Sequence, residues 1–395
     1  ILFGFYQADS GEIRVKGKPV KIRSSSDAIA LAVMCPAWVA MDKTGKPLTP
    51  IVTHQDRRSV EIARDIEARV GKKKHLSITG CRPFPGGISS TTWAWYRKHE
   101  PQRIKRADLV GHLNTFLHRH MTGARVTDPS NASFTGLYNT LSFKGWNKSL
   151  CENIGADIHL LPEILQADQI AGVVTEEAAS LFHLRAGTPV MTGLVDGSAG
   201  MLLAGAKDGQ LFNVCGSTDV LALCTEKPRP HEQLLTRALG VENKFLMVGT
   251  MAAVASALYW ARLQFFQEMS IQDFQKEMFR LAKAGPTAAG TVTFQPYMAG
   301  ERTSIEQRQG GFSGLTLAST RENMLSAMLE GLIAASAARL PLLQSSGTEI
   351  LKSVAVSGGA DQLDRLMRRD WSGKWTFRSV TDATMRGLGT LTPKD

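Results

Sequence analysis

The sequence predicts an α/β protein with two domains. Strand-like and helix-like patterns alternate in both halves of the chain, as they do in α/β folds. The chain has 395 residues, which is the length of about two domains of roughly 100–200 residues each. An apolar run that ends at Asp196 marks the natural seam. We therefore expect one domain over residues 1–195 and a second over residues 196–395.

Apolar and alternating runs predict the strands of the first half. Residues 1–22 are typical of a β-hairpin, with its turn at residues 9–12. Buried strands are expected over Ile29–Met34 and Trp38–Met41. Helices are expected over residues 57–70, 89–99 and 107–122. The last helix carries its apolar side chains on one face and has Gly123 at the position of a C-terminal cap.

The second half begins with a continuous apolar strand over residues 188–195. A turn at Gly216–Asp219 separates two strands, and Ser319 and Glu322 have the spacing of a helix capping box. The other expected elements are a tightly packed helix of small residues over 197–205, the two strands within 210–224, a long helix over 319–343 and a strand over 350–356.

Composition narrows the class of protein. Hydrophobic residues make up 43% of the chain and charged residues 21%, which are ordinary values for a globular protein. No run of about 20 apolar residues is apparent, so no membrane partner is expected, and the beginning of the chain shows no signal-peptide pattern. The net charge is +10, but the basic runs are short and scattered, which favours solvated faces and an anionic substrate over a nucleic-acid partner.

The five cysteines are odd in number and no pair has CxxC spacing. This argues against a disulfide framework and against a structural zinc site. A reducing, cytoplasmic location is expected. We predict no protein-bound metal site from these residues.

Asp196 ends a buried strand within a segment rich in glycine. Ligand sites of α/β folds lie at the carboxyl ends of strands, and a carboxylate there can accept a proton from a hydroxyl group during phosphoryl transfer. An aspartate at this position can equally cap the next helix. Both interpretations stay open on this segment alone.

Two glycine-containing turns could bind phosphate or nucleotide. Gly216, Ser217 and Thr218 offer backbone N–H groups and hydroxyls that can surround a phosphate, although an ordinary hairpin turn has the same composition. Gly358 and Gly359 lie between a predicted strand and a predicted helix, where a nucleotide can approach the helix N-terminus. A plain left-handed turn is the alternative there.

Further segments follow in a fixed order along nearly the whole chain. They are Asp56-Arg57-Arg58, Thr79-Gly80, Met121–Asp128, Leu161-Pro162-Glu163, Val173–Ala178, Ala186–Val190, Pro296–Thr303, Phe312–Thr316, Leu329-Glu330-Gly331 and Ser357–Ala360. In this order and with this spacing, the segments resemble the FGGY carbohydrate kinases, closest to the xylulokinase-like branch.

The resemblance implies an actin/hexokinase-like (ribonuclease H-like) fold, in which two α/β domains enclose a cleft. It implies that the chain phosphorylates a sugar or polyol hydroxyl with ATP and Mg²⁺, and a ketopentose such as xylulose or ribulose is the expected acceptor. The sugar would bind on the N-terminal side and ATP mainly on the C-terminal domain. Whether the chain forms a homodimer is left open.

The resemblance also assigns roles to residues. Asp196 corresponds to the general base. Gly216, Ser217 and Thr218 correspond to the loop at the ATP phosphates, and Gly358 and Gly359 to the adenosine segment. Asp56, with its neighbour Arg57, corresponds to the sugar-side end of the cleft. Glu301 and Arg302 are interpreted as a buried pair that holds a loop in place.

Some segments depart from the family pattern. The family's Asp-x-Gly-Thr-Thr phosphate loop, whose aspartate helps to hold Mg²⁺, is absent from the sequence, and the stretch between Lys21 and Ile29 is short. Met34–Trp38 replaces the family's Gly-Gln-Met-His-Gly, so Trp38 either stacks on the sugar or packs in the core. Asp219 would repel phosphates unless it points away or helps to bind metal. A non-catalytic sugar- or nucleotide-binding relative is therefore the alternative function.

Overall fold

A computed structural model describes residues 2–3, 13–15, 18–20, 28–358 and 361–391. The β-strands are β1 (Leu2–Phe3), β2 (Ile13–Val15), β3 (Lys18–Val20), β4 (Ala30–Val33), β5 (Ala37–Met41), β6 (Val52–Thr53), β7 (Leu109–His112), β8 (Val126–Thr127), β9 (Glu163–Ile164), β10 (Ile170–Val173), β11 (Pro189–Met191), β12 (Leu194–Val195), β13 (Leu211–Cys215), β14 (Asp219–Thr225), β15 (Leu235–Ala238), β16 (Phe245–Met251), β17 (Thr293–Gln295), β18 (Gly311–Ser313), β19 (Ser353–Ser357) and β20 (Thr376–Ser379).

The α-helices are α1 (Val60–Val70), α2 (Lys72–Thr79), α3 (Ser89–His99), α4 (Pro101–Ile104), α5 (Leu113–Thr122), α6 (Pro129–Ala132), α7 (Lys148–Ile154), α8 (Glu176–Phe182), α9 (Asp196–Ala204), α10 (Ala255–Phe265), α11 (Ile271–Ala284), α12 (Arg321–Gln344), α13 (Asp361–Met367) and α14 (Ala383–Leu388). Short 3₁₀ helices occupy Ser133–Thr135, Ile158–Leu160 and Gly285–Ala289.

The largest sheet has six strands in the order β15-β16-β14-β13-β19-β20. Strand β19 pairs in parallel with β13 and with β20, and the other neighbours are antiparallel. A smaller sheet in the first half has the order β1-β4-β12. There β4 and β12 are parallel, with Val33 beside Val195. Because parallel strands end at the same edge, Met34 and Asp196 leave this sheet side by side.

Helix α9 packs between the two sheets, and its small residues make this possible. A Cβ on Gly200 would overlap the ring of Phe212, and a Cβ on Gly387 in α14 would overlap the carbonyl oxygen of Ala199. Gly205 ends the helix in the left-handed conformation at φ +111°, which glycine adopts without strain. The predicted helix of small residues is therefore confirmed, with Asp196 in its first turn.

The N-terminal hairpin differs from the prediction. Strand β1 pairs with β4, whereas β2 and β3 pair with each other in antiparallel orientation. The predicted turn at residues 9–12 lies outside the described residues.

The predicted helix over 107–122 begins later, at Leu113, because Leu109–His112 form a strand that pairs with β5. This strand is buried throughout, so its apolar residues extend the helical pattern without belonging to the helix. The predicted C-terminal cap is confirmed, since Gly123 has φ +74°.

Two boundaries of the second half also differ. The strand predicted over 188–195 is broken after Met191, because Gly193 turns at φ +71° and its Cα packs against the carbonyl of Leu31. The capping box of α12 is formed by Thr320 and Asn323, one residue later than predicted.

Helix α12 is long and apolar enough to cross a membrane by length and composition, contrary to the expectation that no such run is present. Most of its apolar window is nevertheless buried inside the protein. Leu325, Met328, Leu329, Leu332 and Ile333 belong to a single core cluster with α10 and α11. The helix therefore packs as a core helix of the second half.

Candidate active site

A cavity of about 370 Å³ lies between the β4–β12 edge and the six-stranded sheet. Its volume is in the range that binds small molecules in proteins. The walls come from both halves of the chain. They consist of Met34, Cys35, Pro36, His54, Gly87, Phe134, Val195, Asp196, Gly197, Phe212, Val214, Thr218, Val220, Leu235, Arg237, Val248, Thr250, Arg302, Ser357, Ala383 and Thr384.

Asp196 presents its carboxylate to this cavity from the first turn of α9. Oδ1 accepts a hydrogen bond from the N–H of Gly197 at 2.7 Å, and Oδ2 has no partner among the described residues. Water can reach the side chain through the cavity, yet the surrounding protein desolvates it and raises the pKa of the carboxyl group. The positive charges of Arg237 and Arg302 oppose that rise.

Arg237 lines the cavity from strand β15, and its side chain is buried. Its Nη1 donates to Ser198 Oγ at 2.5 Å, and the guanidinium faces Asp196 and Asp128. Burial lowers the pKa of Arg237, and the two carboxylates oppose this shift. The result is a buried positive charge beside the carboxylate of Asp196, which favours the ionised form of that group.

Arg302 and His54 also line the cavity. In the part of the chain that the structure describes, Arg302 makes no side-chain hydrogen bond and no ion pair, although its charge acts on Asp196. Glu301 instead pairs with Arg308 at 3.1 Å, which corrects the prediction that Glu301 and Arg302 form a scaffolding pair. Burial and the charge of Arg302 lower the pKa of His54 to about 4, so His54 is neutral at pH 7.

The hairpin between β13 and β14 carries the three predicted phosphate-binding residues and brings Thr218 to the cavity. Cys215 pairs with Asp219, so Gly216, Ser217 and Thr218 form the loop. The N–H groups of Val254 and Ala255 donate to the carbonyls of Ser217 and Gly216, at 2.8 and 3.1 Å. These carbonyls therefore face the beginning of α10. The hydroxyls of Ser217 and Thr218 have no hydrogen-bond partner among described residues, and Thr218 lines the cavity.

Asp219 points away from this loop into the protein core. Its Oδ2 pairs with Arg339 Nη2 at 2.6 Å, and its Oδ1 accepts from Asn213 Nδ2 at 2.6 Å. Both side chains of the ion pair are almost fully buried. The predicted conflict between Asp219 and bound phosphates is thereby resolved, because the carboxylate is neutralised on the opposite side of the hairpin.

Gly358 follows the end of β19, directly beside the hairpin. Its φ of +147° and the overlap that a Cβ would make with the carbonyl oxygen of Cys215 both require glycine. Gly359 lies outside the described residues.

A second cavity, of about 450 Å³, begins behind this edge. It is lined by residues of α10, α11 and α13, namely Ala255, Leu258, Tyr259, Arg262, Ile271, Phe274, Gln275, Met278, Phe279, Gln362 and Leu363. Ala255 lines this cavity and its N–H donates to the carbonyl of Gly216, so the hairpin is bonded to one wall of the second cavity.

Two predicted substrate residues lie near the main cavity without lining it. Asp56 forms an ion pair with Arg58 at 2.8 Å. Arg57 donates to the carbonyls of Glu301 and Ser304 at 3.0 and 2.8 Å. It thus fixes the 301–306 loop to the first half and lines a small adjoining cavity of about 250 Å³.

Trp38 packs in the core. It is 2% exposed and stacks on Tyr96 with ring centroids 5.3 Å apart. This corrects the prediction that Trp38 contacts the substrate, and leaves the core-packing alternative. The preceding residues Met34, Cys35 and Pro36 are the part of this segment that lines the cavity.

Sequence reasoning did not single out His54 or Arg237. His54 stands in a polar segment without a recognisable motif. Arg237 carried a signal that could have been used, because an arginine inside an apolar strand pattern must be buried and therefore requires a partner.

Two family models match the chain. The N-terminal domain of the FGGY family of carbohydrate kinases matches residues 21–203, and the C-terminal domain of the same family matches residues 211–369. The domain boundary at 195/196 stays a prediction.

Individual relatives share low sequence identity with this chain. L-xylulose/3-keto-L-gulonate kinase of Escherichia coli is 28% identical over 83% of this chain, and a xylulose kinase of Staphylococcus xylosus is 23% identical over 82%. The chain spans 65% and 66% of the length of these two relatives. The crystal structure of xylulose kinase from Rhodospirillum rubrum superposes with a TM-score of 0.79 at 24% identity, covering 92% of this chain and 74% of that one. This similarity confirms the two-domain actin/hexokinase-like fold.

Proposed function

The chain belongs to the FGGY family of carbohydrate kinases, and on that basis we propose that it transfers the terminal phosphoryl group of ATP to a hydroxyl of a sugar or polyol. The observation that carries this proposal is the arrangement of one cavity. A carboxylate with an unpartnered oxygen, Asp196, and a hydroxyl of the glycine hairpin, Thr218, line the same space. Phosphoryl transfer needs these two parts together, a proton acceptor and a phosphate-binding loop.

The residues then take the following roles. The acceptor hydroxyl lies against Asp196, which takes its proton as the oxygen attacks phosphorus. The positive charges of Arg237 and Arg302 oppose the rise that burial causes in the pKa of Asp196, and so favour its ionised form. Gly216, Ser217 and Thr218 hold the phosphates, so that the hydroxyl and the leaving group are in line. The apolar wall, which includes Phe134 and Phe212, limits the access of competing water.

The nucleotide base occupies the cavity behind the hairpin. Ala255 lines that cavity and bonds to Gly216 of the hairpin, so with the phosphates at the hairpin the base lies among Leu258, Tyr259 and Phe274. Gly358, which packs against Cys215 beside the hairpin, and Gly359 are the residues that we propose for the adenosine segment.

Magnesium accompanies the phosphates in this proposal. Protein sites for Mg²⁺ at phosphate substrates use only one or two carboxylates. Asp196 is the carboxylate among the described residues that lines this cavity, and its open oxygen is already the proposed proton acceptor. Mg²⁺ would therefore be held mainly by the phosphates of ATP and by water, and there it would neutralise phosphate charge.

A ketopentose such as xylulose or ribulose is the proposed acceptor. The cavity of about 370 Å³ accommodates a molecule of that size. Relatives named for xylulose and L-xylulose support the same class of substrate.

The test is ADP release by the purified protein with ATP, Mg²⁺ and a panel of ketopentoses, polyols and sugar acids. We expect turnover with at least one acceptor, and a loss of about 10²–10⁴-fold in Asp196→Asn, since general-base catalysis contributes that much. Asp273→Asn, at an exposed helix N-terminus, is the matched control and should stay near the wild-type rate.

Near-normal turnover by Asp196→Asn would contradict the role of Asp196. Ligand binding without turnover by the wild type would favour the alternative, a non-catalytic sugar- or nucleotide-binding relative.

A further inference from the structure

The guanidinium of Arg302 stands at the junction of two cavities. The main cavity and the small adjoining one have His54, Thr218 and Arg302 in common. Arg302 thus lies beside the residue that ends the phosphate hairpin and faces the carboxylate of Asp196, on which its charge acts.

Arg302 has no anionic partner within the described ranges of the chain. It forms no hydrogen bond there and lies beyond ion-pair distance of Asp196. Its neighbour in the same loop, Arg308, is fully engaged, with Glu301 at 3.1 Å and the hydroxyl of Tyr297 at 2.7 Å. A half-buried cation without an anionic partner is unfavourable, so this position suits an anion that arrives with a ligand.

His54 does not compete for that anion. Its pKa of about 4 leaves it neutral at pH 7. Among the described residues, Arg237 is the other arginine that lines the cavity, but its guanidinium is buried and donates to Ser198. Of the two described arginines, Arg302 is therefore the one available to a ligand beside Thr218 and Asp196.

We propose that Arg302 is a catalytic residue that binds the terminal phosphoryl group of ATP between Thr218 and Asp196. This inference rests on the proposed function. The acceptor oxygen forms a bond to the γ-phosphorus, the bond from that phosphorus to the β,γ-bridging oxygen breaks, and its electron pair leaves with ADP. The hydroxyl proton goes to Asp196. Arg302 donates to the equatorial oxygens of the moving group and stabilises their charge in the transition state.

The position of Arg302 predicts discrimination between nucleotides. ATP carries the group that Arg302 contacts and ADP does not. Arg302→Ala should therefore weaken ATP binding at least about tenfold while leaving ADP binding within about twofold, because a hydrogen bond to a charged group is worth roughly 1.5–3 kcal/mol. Turnover should fall about 10²–10³-fold, the usual cost of removing one such donor.

The experiment measures equilibrium binding of ATP and ADP, in the presence of Mg²⁺, together with kcat, for the full chain. Arg308→Ala is the control, because it removes the same charge from the same loop outside the main cavity. Addition of guanidinium chloride to Arg302→Ala, against NaCl at equal ionic strength, should restore part of kcat. Thermal unfolding confirms that each variant is folded.

Equal weakening of ATP and ADP in Arg302→Ala would overturn the proposal, as would a kcat within about threefold of wild type. If the wild type binds ATP over ADP but turns over no acceptor, the proposed function fails. The ATP-to-ADP ratio of Arg302→Ala then still decides the role of Arg302. Absence of ATP binding by the wild type would contradict both the proposed function and the proposed role of Arg302.

Discussion

Replacement of Asp219 by alanine tests what stabilises the hairpin between β13 and β14, which we propose to bind phosphate. The Asp219–Arg339 pair has N–O separation of 2.6 Å, and the two side chains are 1% and 5% exposed. Removing the carboxylate leaves the guanidinium of Arg339 buried and uncompensated, and also removes the acceptor of Asn213 Nδ2. Loss of one partner of a buried pair costs about 3–5 kcal/mol, a large share of the roughly 5–15 kcal/mol that stabilises a typical protein.

Urea unfolding, followed by fluorescence and circular dichroism, measures this loss. The matched control is Glu268→Ala, which breaks an exposed pair with Arg321 at 2.5 Å and should leave the free energy of unfolding nearly unchanged, because water screens exposed ion pairs. The double variant Asp219→Ala with Arg339→Met should recover much of the stability, because no buried charge is left. A loss of less than about 1 kcal/mol in Asp219→Ala would refute the inference that this pair anchors the hairpin.

Two further predictions concern the site. Burial raises the pKa of Asp196 above its ordinary value of 3.8, so kcat/KM should fall as the pH drops through that raised pKa and the base becomes protonated. Arg302→Gln removes a positive charge that lowers the pKa of Asp196, so the acidic limb of the pH–rate profile should move to higher pH. A limb that does not move would contradict the electrostatic coupling between Arg302 and Asp196. Tyr259→Ala removes an exposed ring from the cavity proposed for the nucleotide base. It should weaken the binding of ATP and of ADP equally, by roughly 5–150-fold in Kd for a stacking loss of about 1–3 kcal/mol. Unchanged Kd values in titration calorimetry would exclude the base from that cavity.

The alternation of strands and helices predicted the fold class because apolar periodicity follows directly from burial. Boundaries were less predictable where the backbone, and not side-chain polarity, ends an element. Gly193 breaks an apolar strand by its positive φ, which does not interrupt the hydrophobic run. Leu109–His112 carry apolar residues that suit both a buried strand and the helix that follows.

The site was predictable where chain order determines position. Asp196 follows a strand of the central region, so its place at the sheet edge followed from sequence. The partners of the charged groups did not follow from the sequence, because adjacency along the chain does not show which side chains meet in the fold. Glu301 pairs with Arg308 and not with its neighbour Arg302. Trp38 is buried by Tyr96, which lies 58 positions further along the chain.

Phosphoryl transfer to a sugar is tested most directly by ³¹P NMR of the full chain with ATP, Mg²⁺ and the acceptor that releases most ADP. We expect a new phosphate monoester of that sugar, formed in equal amount with ADP by the wild type and reduced by at least about 10²-fold in Asp196→Asn. Formation of inorganic phosphate in place of the ester, or ester formation at an unchanged rate by Asp196→Asn, would contradict this expectation.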